Sequence, residues 1–367
     1  MSKNDCAKMD GTARYCARFK DAGEGHFRQA QDLWMSSIGV GTYLGQPDEQ
    51  TDRRYTEAIV RAVELGVNVI DTAANYRFQR SERSIGAALT ELQGRGVARD
   101  ELVICTKGGY LPFDGTPPRD VRAYVEENFI KTGIASWGDI AGGSHCMTPR
   151  YLENQLEQSL RNMDLDCVDV YYVHNPESQL SAVSSEEFSR RLRAAFEFLE
   201  QSVAQGKIRN YGVATWNGFR VEPNARGYHS LEPMVEVARD IAGDWHHFRF
   251  IQLPVNLAMP EALFFPNQKV GEWMTVTEAA HKFGVTVIAS GSILQGQVAH
   301  GLPEAIRQTL GSLATDAQTG IQFVRSASGI TTALVGMSNV EHVAENLELV
   351  RVAPAAPSAV MGLFEQE

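Results

Sequence analysis

The chain has 367 residues, 43% of them hydrophobic, and a formal net charge of −11 at pH 7. Its acidity argues against a surface that tracks a phosphate backbone, so nucleic acid is not an expected partner. No apolar run approaches the ~20 residues of a membrane span, the first six residues lack the apolar core of a secretory signal, and five cysteines without paired spacing read as reduced thiols, so a cytoplasmic protein is expected.

Taken in order, residues 1–11 are expected to be disordered, and residues 13–19 and 29–35 can pair as a hairpin ahead of the main fold. Glycines at 39, 41 and 45 lack the spacing of a dinucleotide fingerprint, and no helical pattern follows them at once. From there the chain alternates between amphipathic helix and short apolar strand. Strands are predicted at 36–40, 67–70, 102–106, 168–173, 211–214, 248–253, 285–289 and 332–335. Helices are predicted at 54–65, 81–93, 150–163 and 185–205, and near 273–283, 318–328 and 340–350. Eight strands mostly separated by helices close into a parallel (β/α)8 TIM barrel. Such barrels need about 250 residues, and the excess falls in residues 1–35, in a tail at 351–367 and in two long connections, 108–149 and 215–247. Both connections leave the C-terminal ends of strands, the face where such barrels carry their chemistry. No linker separates a second domain, so residues 36–350 read as one unit. The first connection, rich in apolar residues between glycine pairs at 108–109 and 142–143, is expected to act as a lid.

The stretch Asn68-Val69-Ile70-Asp71-Thr72-Ala73-Ala74-Asn75-Tyr76 organises the rest. A β-branched run ends in an acid, as a barrel strand does when it delivers a side chain to the rim. Taken alone, Asp71 also suits a helix N-cap with Tyr76 merely packing. The next two strand ends deliver Lys107 and His174, and successive barrel strands are neighbours, so the four side chains converge. A lysine on a buried strand needs a carboxylate, and Asp71 is the natural partner. A charged lysine beside a phenol favours the phenolate and should lower the Tyr76 pKa. A histidine opposite can orient a substrate oxygen. The set suits proton transfer to a carbonyl oxygen.

These residues resemble the Asp-Tyr-Lys-His tetrad of the aldo-keto reductases, carried here by Asp71-(x)4-Tyr76, Cys105-Thr106-Lys107-Gly108 and Tyr171-Tyr172-Val173-His174. Gly39-Val40-Gly41-Thr42-Tyr43 is similar to the family's first strand and turn, and residues 334–346 to its adenine segment. The resemblance implies reduction of an aldehyde or ketone, or the reverse oxidation, with NADPH as cofactor and NADH as the lesser choice. It makes Tyr76 the general acid, Lys107 its modulator, Asp71 the partner of Lys107 and His174 the orienting donor. It also implies cofactor contacts from Gly41, Thr42, Tyr43, Asp71, Thr215, Gln252, Ser290, Ser292, Gly336, Ser338, His342, Glu345 and Asn346. The partner expected is a small carbonyl or alcohol; the oligomeric state is not legible.

This chain departs from the family pattern at three places. The usual Ser-Asn pair after strand five is Ala214-Thr215, the aromatic that stacks on the nicotinamide after strand seven is Ser290, and the basic or Gln residue of the adenine segment is His342. Two further functions stay open: a cofactor-binding interaction protein, as the potassium-channel β-subunits of this superfamily are, and an epimerase that oxidises and re-reduces one centre. A complete tetrad favours an enzyme. No ligand spacing for a metal occurs. His145, His246 and His247 read as loop residues, Cys105 and Cys167 as buried inert thiols, and Tyr110, Trp137 and Trp216 as rim aromatics.

Overall fold

The computed structural model describes residues 6–364. Eight parallel strands close into a barrel: β1 (Ile38–Gly41), β2 (Val69–Asp71), β3 (Val103–Gly108), β4 (Val168–His174), β5 (Ile208–Ala214), β6 (Phe248–Pro254), β7 (Thr286–Ser290) and β8 (Ile330–Gly336). The helices that follow them are α1 (Glu49–Glu64), α2 (Arg80–Gly94), α3 (Pro149–Met163), α4 (Ser185–Ala204), α5 (Leu231–Ala242), α6 (Val276–Phe283), α7 (Asp316–Ser326) and α8 (Val340–Leu347). This is a (β/α)8 TIM barrel forming a single domain, with every strand end predicted from the sequence at the same rim.

The strands are rich in β-branched and aromatic residues because both faces are covered, the outer by helices and the inner by the barrel's own filling. Val69, Val103, Val170, Tyr172, Phe250 and Ile288 fill the interior, joined from below by Leu33 and Met35. The helices start where local signals place them. Asp48 accepts from the Thr51 N–H at 2.7 Å ahead of α1, and Thr275 with Glu278 forms a capping box on α6. Gly284, in the left-handed region at φ 66°, ends α6 and turns the chain into β7.

Four features differ from the sequence reading. The N-terminal segment is not a strand: Met9–Cys16 is a helix. The hairpin pairs Phe27–Ala30 with Leu33–Ser36 instead. Its two-residue turn, Gln31-Asp32, has φ of 48° and 57°. Asn-Gly is the usual signal for that geometry, and Gln-Asp carries no such signal. Within 215–247 the helix α5 was missed, although Leu231, Met234, Val235 and Ala238 bury one face at helical spacing. Finally, Cys6 and Cys167 are joined in a disulfide across a separation of 161 residues, so Cys167 is not a free thiol. The Ala7 N–H donates to Asp169 Oδ1 at 2.5 Å and brings the N-terminal arm to the foot of β4. Cys16, Cys105 and Cys146 remain free.

The connection 108–149 folds on itself. Leu111, Val125, Phe129, Ala135, Ile140 and Cys146 form a small apolar cluster with Tyr151 of α3.

Candidate active site

A cavity of about 820 Å³ opens at the C-terminal rim of the barrel, within the size range of small-molecule sites. Lys107 lies beneath its floor, 1% exposed, and its Nζ donates to Asp71 Oδ1 at 2.5 Å and to the Thr72 carbonyl at 2.7 Å. The second carboxylate oxygen of Asp71 accepts from Gln252 Nε2 at 2.8 Å. Nζ also stands 5.0 Å from the centre of the Tyr76 ring. Across the floor, the Tyr76 and His174 rings meet edge to face at 5.8 Å, and Tyr43 also packs edge to face with Tyr76 at 5.0 Å.

Burial works against the charge on Lys107, but Asp71 more than restores it and holds the ammonium above its ordinary pKa. Burial, and secondarily the positive charge of Lys107, pushes His174 well below the ordinary histidine value, so its imidazole is neutral. Tyr76 departs from expectation. Desolvation raises its phenol pKa, and the opposing pull of Lys107 is partly cancelled by the carboxylate of Asp71. The lysine therefore does not win in the free chain, because burial opposes it and its own partner acid also acts on the phenol.

Tyr76 is held by an unusual turn. Arg77, Phe78 and Gln79 all sit in the left-handed region, at φ 47°, 58° and 70°, where non-glycine residues cost roughly 1–2 kcal/mol each. Hydrogen bonds tie each of the three down. The Arg77 guanidinium donates to the Gln46 and Asp48 carbonyls and to Asp52, Gln79 donates to the Phe113 carbonyl, and the Phe78 carbonyl accepts from the Gly115 N–H.

The residues assigned to the cofactor line one continuous trough. Gly41, Thr42 and Tyr43 leave β1, Asp71 and Gln252 end β2 and sit in β6, Thr215 follows β5, and Ser290 and Ser292 end and follow β7. Gly336 ends β8, and Ser338, His342, Glu345 and Asn346 lie on or just before α8. Thr42 is buried and donates to Thr72 Oγ1 at 2.8 Å. Thr215 is turned towards Glu177, donating to its Oε1 at 2.6 Å. Ser292 Oγ and Asn346 Oδ1, buried on the trough, have no hydrogen-bond partner among the described residues; such atoms are costly unless a ligand meets them. Among the described residues, no Lys or Arg lines the cavity.

Sequence reasoning missed Asn75, Asn175, Gln295 and His300, which also line the cavity. Asn75 and Asn175 adjoin tetrad residues, and that adjacency was a usable signal; Gln295 and His300 had none. The rim aromatics divide. Tyr110 and Trp216 line the cavity and Trp137 does not, and Tyr110 is the one residue of 108–149 that reaches it. A side chain on Gly291 would meet the Trp216 indole at 3.7 Å, so this ring stands one residue beyond Ser290, beside the place where the expected aromatic is missing.

The model of the aldo/keto reductase family matches residues 37–226, more than half of the chain and the span that holds Asp71, Tyr76, Lys107 and His174. The chain belongs to the aldo/keto reductase family. Solved structures share its fold. An aldo/keto reductase from Klebsiella pneumoniae, in complex with NADP and acetate, is 20% identical with a TM-score of 0.60, covering 95% of this chain and 97% of its own. The holo form of an aldo-keto reductase from Bacillus halodurans is 20% identical with a TM-score of 0.61, covering 93% and 98%. The glycerol dehydrogenase of Gluconobacter oxydans is 19% identical with a TM-score of 0.56, covering 89% and 90%.

Proposed function

We propose that this aldo/keto reductase interconverts a small uncharged carbonyl compound and its alcohol with NADPH, using Tyr76 as the acid. The observation that carries the reading is the buried Lys107–Asp71 pair directly behind Tyr76, with His174 facing the same ring. The trough fits an extended dinucleotide: it offers unpaired Ser292 Oγ and Asn346 Oδ1, and Gly336 presents open space where a side chain would stand. Gln252, Ser290 and Thr215 would flank the nicotinamide end, and Ser338, His342, Glu345 and Asn346 the adenosine end. Bound there, the cofactor supplies or accepts a hydride.

The rest is the work of the chain's own side chains. His174, neutral, donates a hydrogen bond to the carbonyl oxygen and sets it against Tyr76. As carbon gains the hydride pair, the oxygen takes the proton from Tyr76 Oη, giving alcohol and phenolate. Lys107 stabilises that phenolate electrostatically, and a proton from solvent restores the phenol. The raised pKa of Tyr76 keeps the proton in place until it is needed, and oxidation runs the same path backwards. Tyr43, Tyr110 and Trp216 give the substrate aromatic walls, and the absence of Lys or Arg among the described lining residues favours uncharged substrates over carboxylates.

The test is Tyr76→Phe, assayed by loss of reduced-cofactor absorbance over a panel of aldehydes, ketones and keto-sugars. Turnover should fall about 10²–10⁴-fold with NADPH affinity kept. Near-normal turnover would remove Tyr76 from the acid role.

A further inference from the structure

We propose that His145, from the 108–149 connection, is a positioning residue for His174; the proposal rests on the reading above that His174 contacts the substrate. His145 is fully buried. One ring nitrogen, Nε2, lies 2.6 Å from the His174 carbonyl oxygen, and the other, Nδ1, lies 2.8 Å from Gln179 Nε2.

The proton positions follow from the neighbours. Gln179 Oε1 is 2.7 Å from Arg191 Nη1, and arginine only donates, so this end of the amide is the acceptor. Gln179 Nε2 is also 3.0 Å from the His145 carbonyl, which only accepts, so the other end is the donor. Nδ1 of His145 therefore accepts from Gln179, and Nε2 carries the proton and donates to His174. A second proton on His145 would point at the Gln179 amide hydrogens, so the ring is locked neutral in one tautomer.

This bond acts where the barrel's own ladder has run out. The β3–β4 register ends at Gly108 opposite Val173, one residue short of His174. Gly109 then turns away at φ 144°. The imidazole of His145 takes the place of a strand N–H and holds the last carbonyl of β4. The fit leaves no room for a side chain: a Cβ on Gly109 would stand 2.8 Å from His145 Nε2 and 2.9 Å from the His174 oxygen.

The His174 ring needs such support because its own Nδ1 is buried with no hydrogen-bond partner among the described residues. Tyr110 completes the brace, packing edge to face on His145 at 5.2 Å and on His174 at 5.1 Å. Its hydroxyl is held by Asn175 and Ser178. Together these contacts aim His174 at Tyr76, and His145 itself stays out of reach of substrate.

The test compares His145→Leu, which removes the donor, with His145→Gln, whose amide nitrogen can stand where Nε2 does. His145→Leu should lower kcat about 10–10²-fold, the effect of a small misalignment at a reacting centre, with NADPH affinity within about twofold and His145→Gln restoring most of the rate. In a double-mutant cycle with His174→Gln, the His145→Leu effect should vanish. Equal losses in the Leu and Gln variants, or an undiminished His145→Leu effect in the His174→Gln background, would overturn the proposal. If His145→Leu does not fold, Gly109→Ala replaces it in the cycle, since its methyl forces the same two groups apart. Should His174→Gln alone leave kinetics untouched, the reading of His174 fails instead, and the two failures are told apart.

Discussion

Gln252 and Asp71, 181 residues apart, are joined by a 2.8 Å hydrogen bond on the cavity floor. With Lys107 on the other oxygen, the carboxylate has both sides satisfied, and a charged pair survives where a lone charge would not. Lys107→Met should therefore abolish turnover and also destabilise the protein by about 3–5 kcal/mol, because it leaves a buried carboxylate unpaired. Adding Asp71→Asn should return most of the stability and none of the activity. Urea denaturation and turnover on the same samples check both halves; stability that stays low in the double variant would mean that the pair supports the fold by its packing.

The left-handed turn after Tyr76 offers a contest between backbone and side chain. Arg77→Gly would relieve about 1–2 kcal/mol of backbone cost. It would also remove charge-assisted hydrogen bonds to Gln46, Asp48 and Asp52, worth roughly 1.5–3 kcal/mol apiece when one partner is charged. The side chain wins this comparison. The variant should be less stable by denaturant titration and slower in kcat, since Tyr76 loses its anchor; a more stable variant would mean that backbone strain outweighs the hydrogen bonds.

Among the described residues no guanidinium lines the end of the trough proposed for the cofactor's phosphate. Ser338 lines the trough just ahead of α8, and Ser338→Arg should strengthen NADPH binding about tenfold or more, in keeping with a charge-assisted contact, while leaving NADH nearly unchanged. Fluorescence titration with each dinucleotide reads the ratio. Parallel gains for both would show that the arginine reaches the pyrophosphate instead.

Acid should weaken the fold through its buried histidines. Burial lowers His26 to about 4 and His145 to about 4, against roughly 6.5 in an unfolded chain. Below about pH 6.5 the unfolded state takes up protons that the folded state refuses, so stability rises with pH across this window. The contribution is complete above about pH 6.5 and is lost as pH falls through about 4. Urea midpoints at pH 7.5, 6 and 5 should decline in that order, and His26→Gln should flatten the slope if the variant folds; a flat series in the unaltered protein would refute the assignment.

The sequence by itself determined the barrel and brought Asp71, Tyr76, Lys107 and His174 to one rim, because both are written in local signals. A β-branched run buried on two faces and ended by Asp71, Lys107 or His174 can be read within ten residues, and the alternation with amphipathic helices counts the strands. Residues 334–346 were legible only through their resemblance to the family's adenine segment. Tertiary structure alone decided the rest. Cys6 meets Cys167 only because the N-terminal arm is carried under the barrel to the foot of β4, and His145 reaches the His174 carbonyl only because 108–149 folds back beside β4. The direction of the Tyr76 pKa was likewise out of reach, since it depends on burial, Lys107 and Asp71 acting at once. Each of these is a balance among groups distant in the chain, and no spacing of residues records how closely they pack.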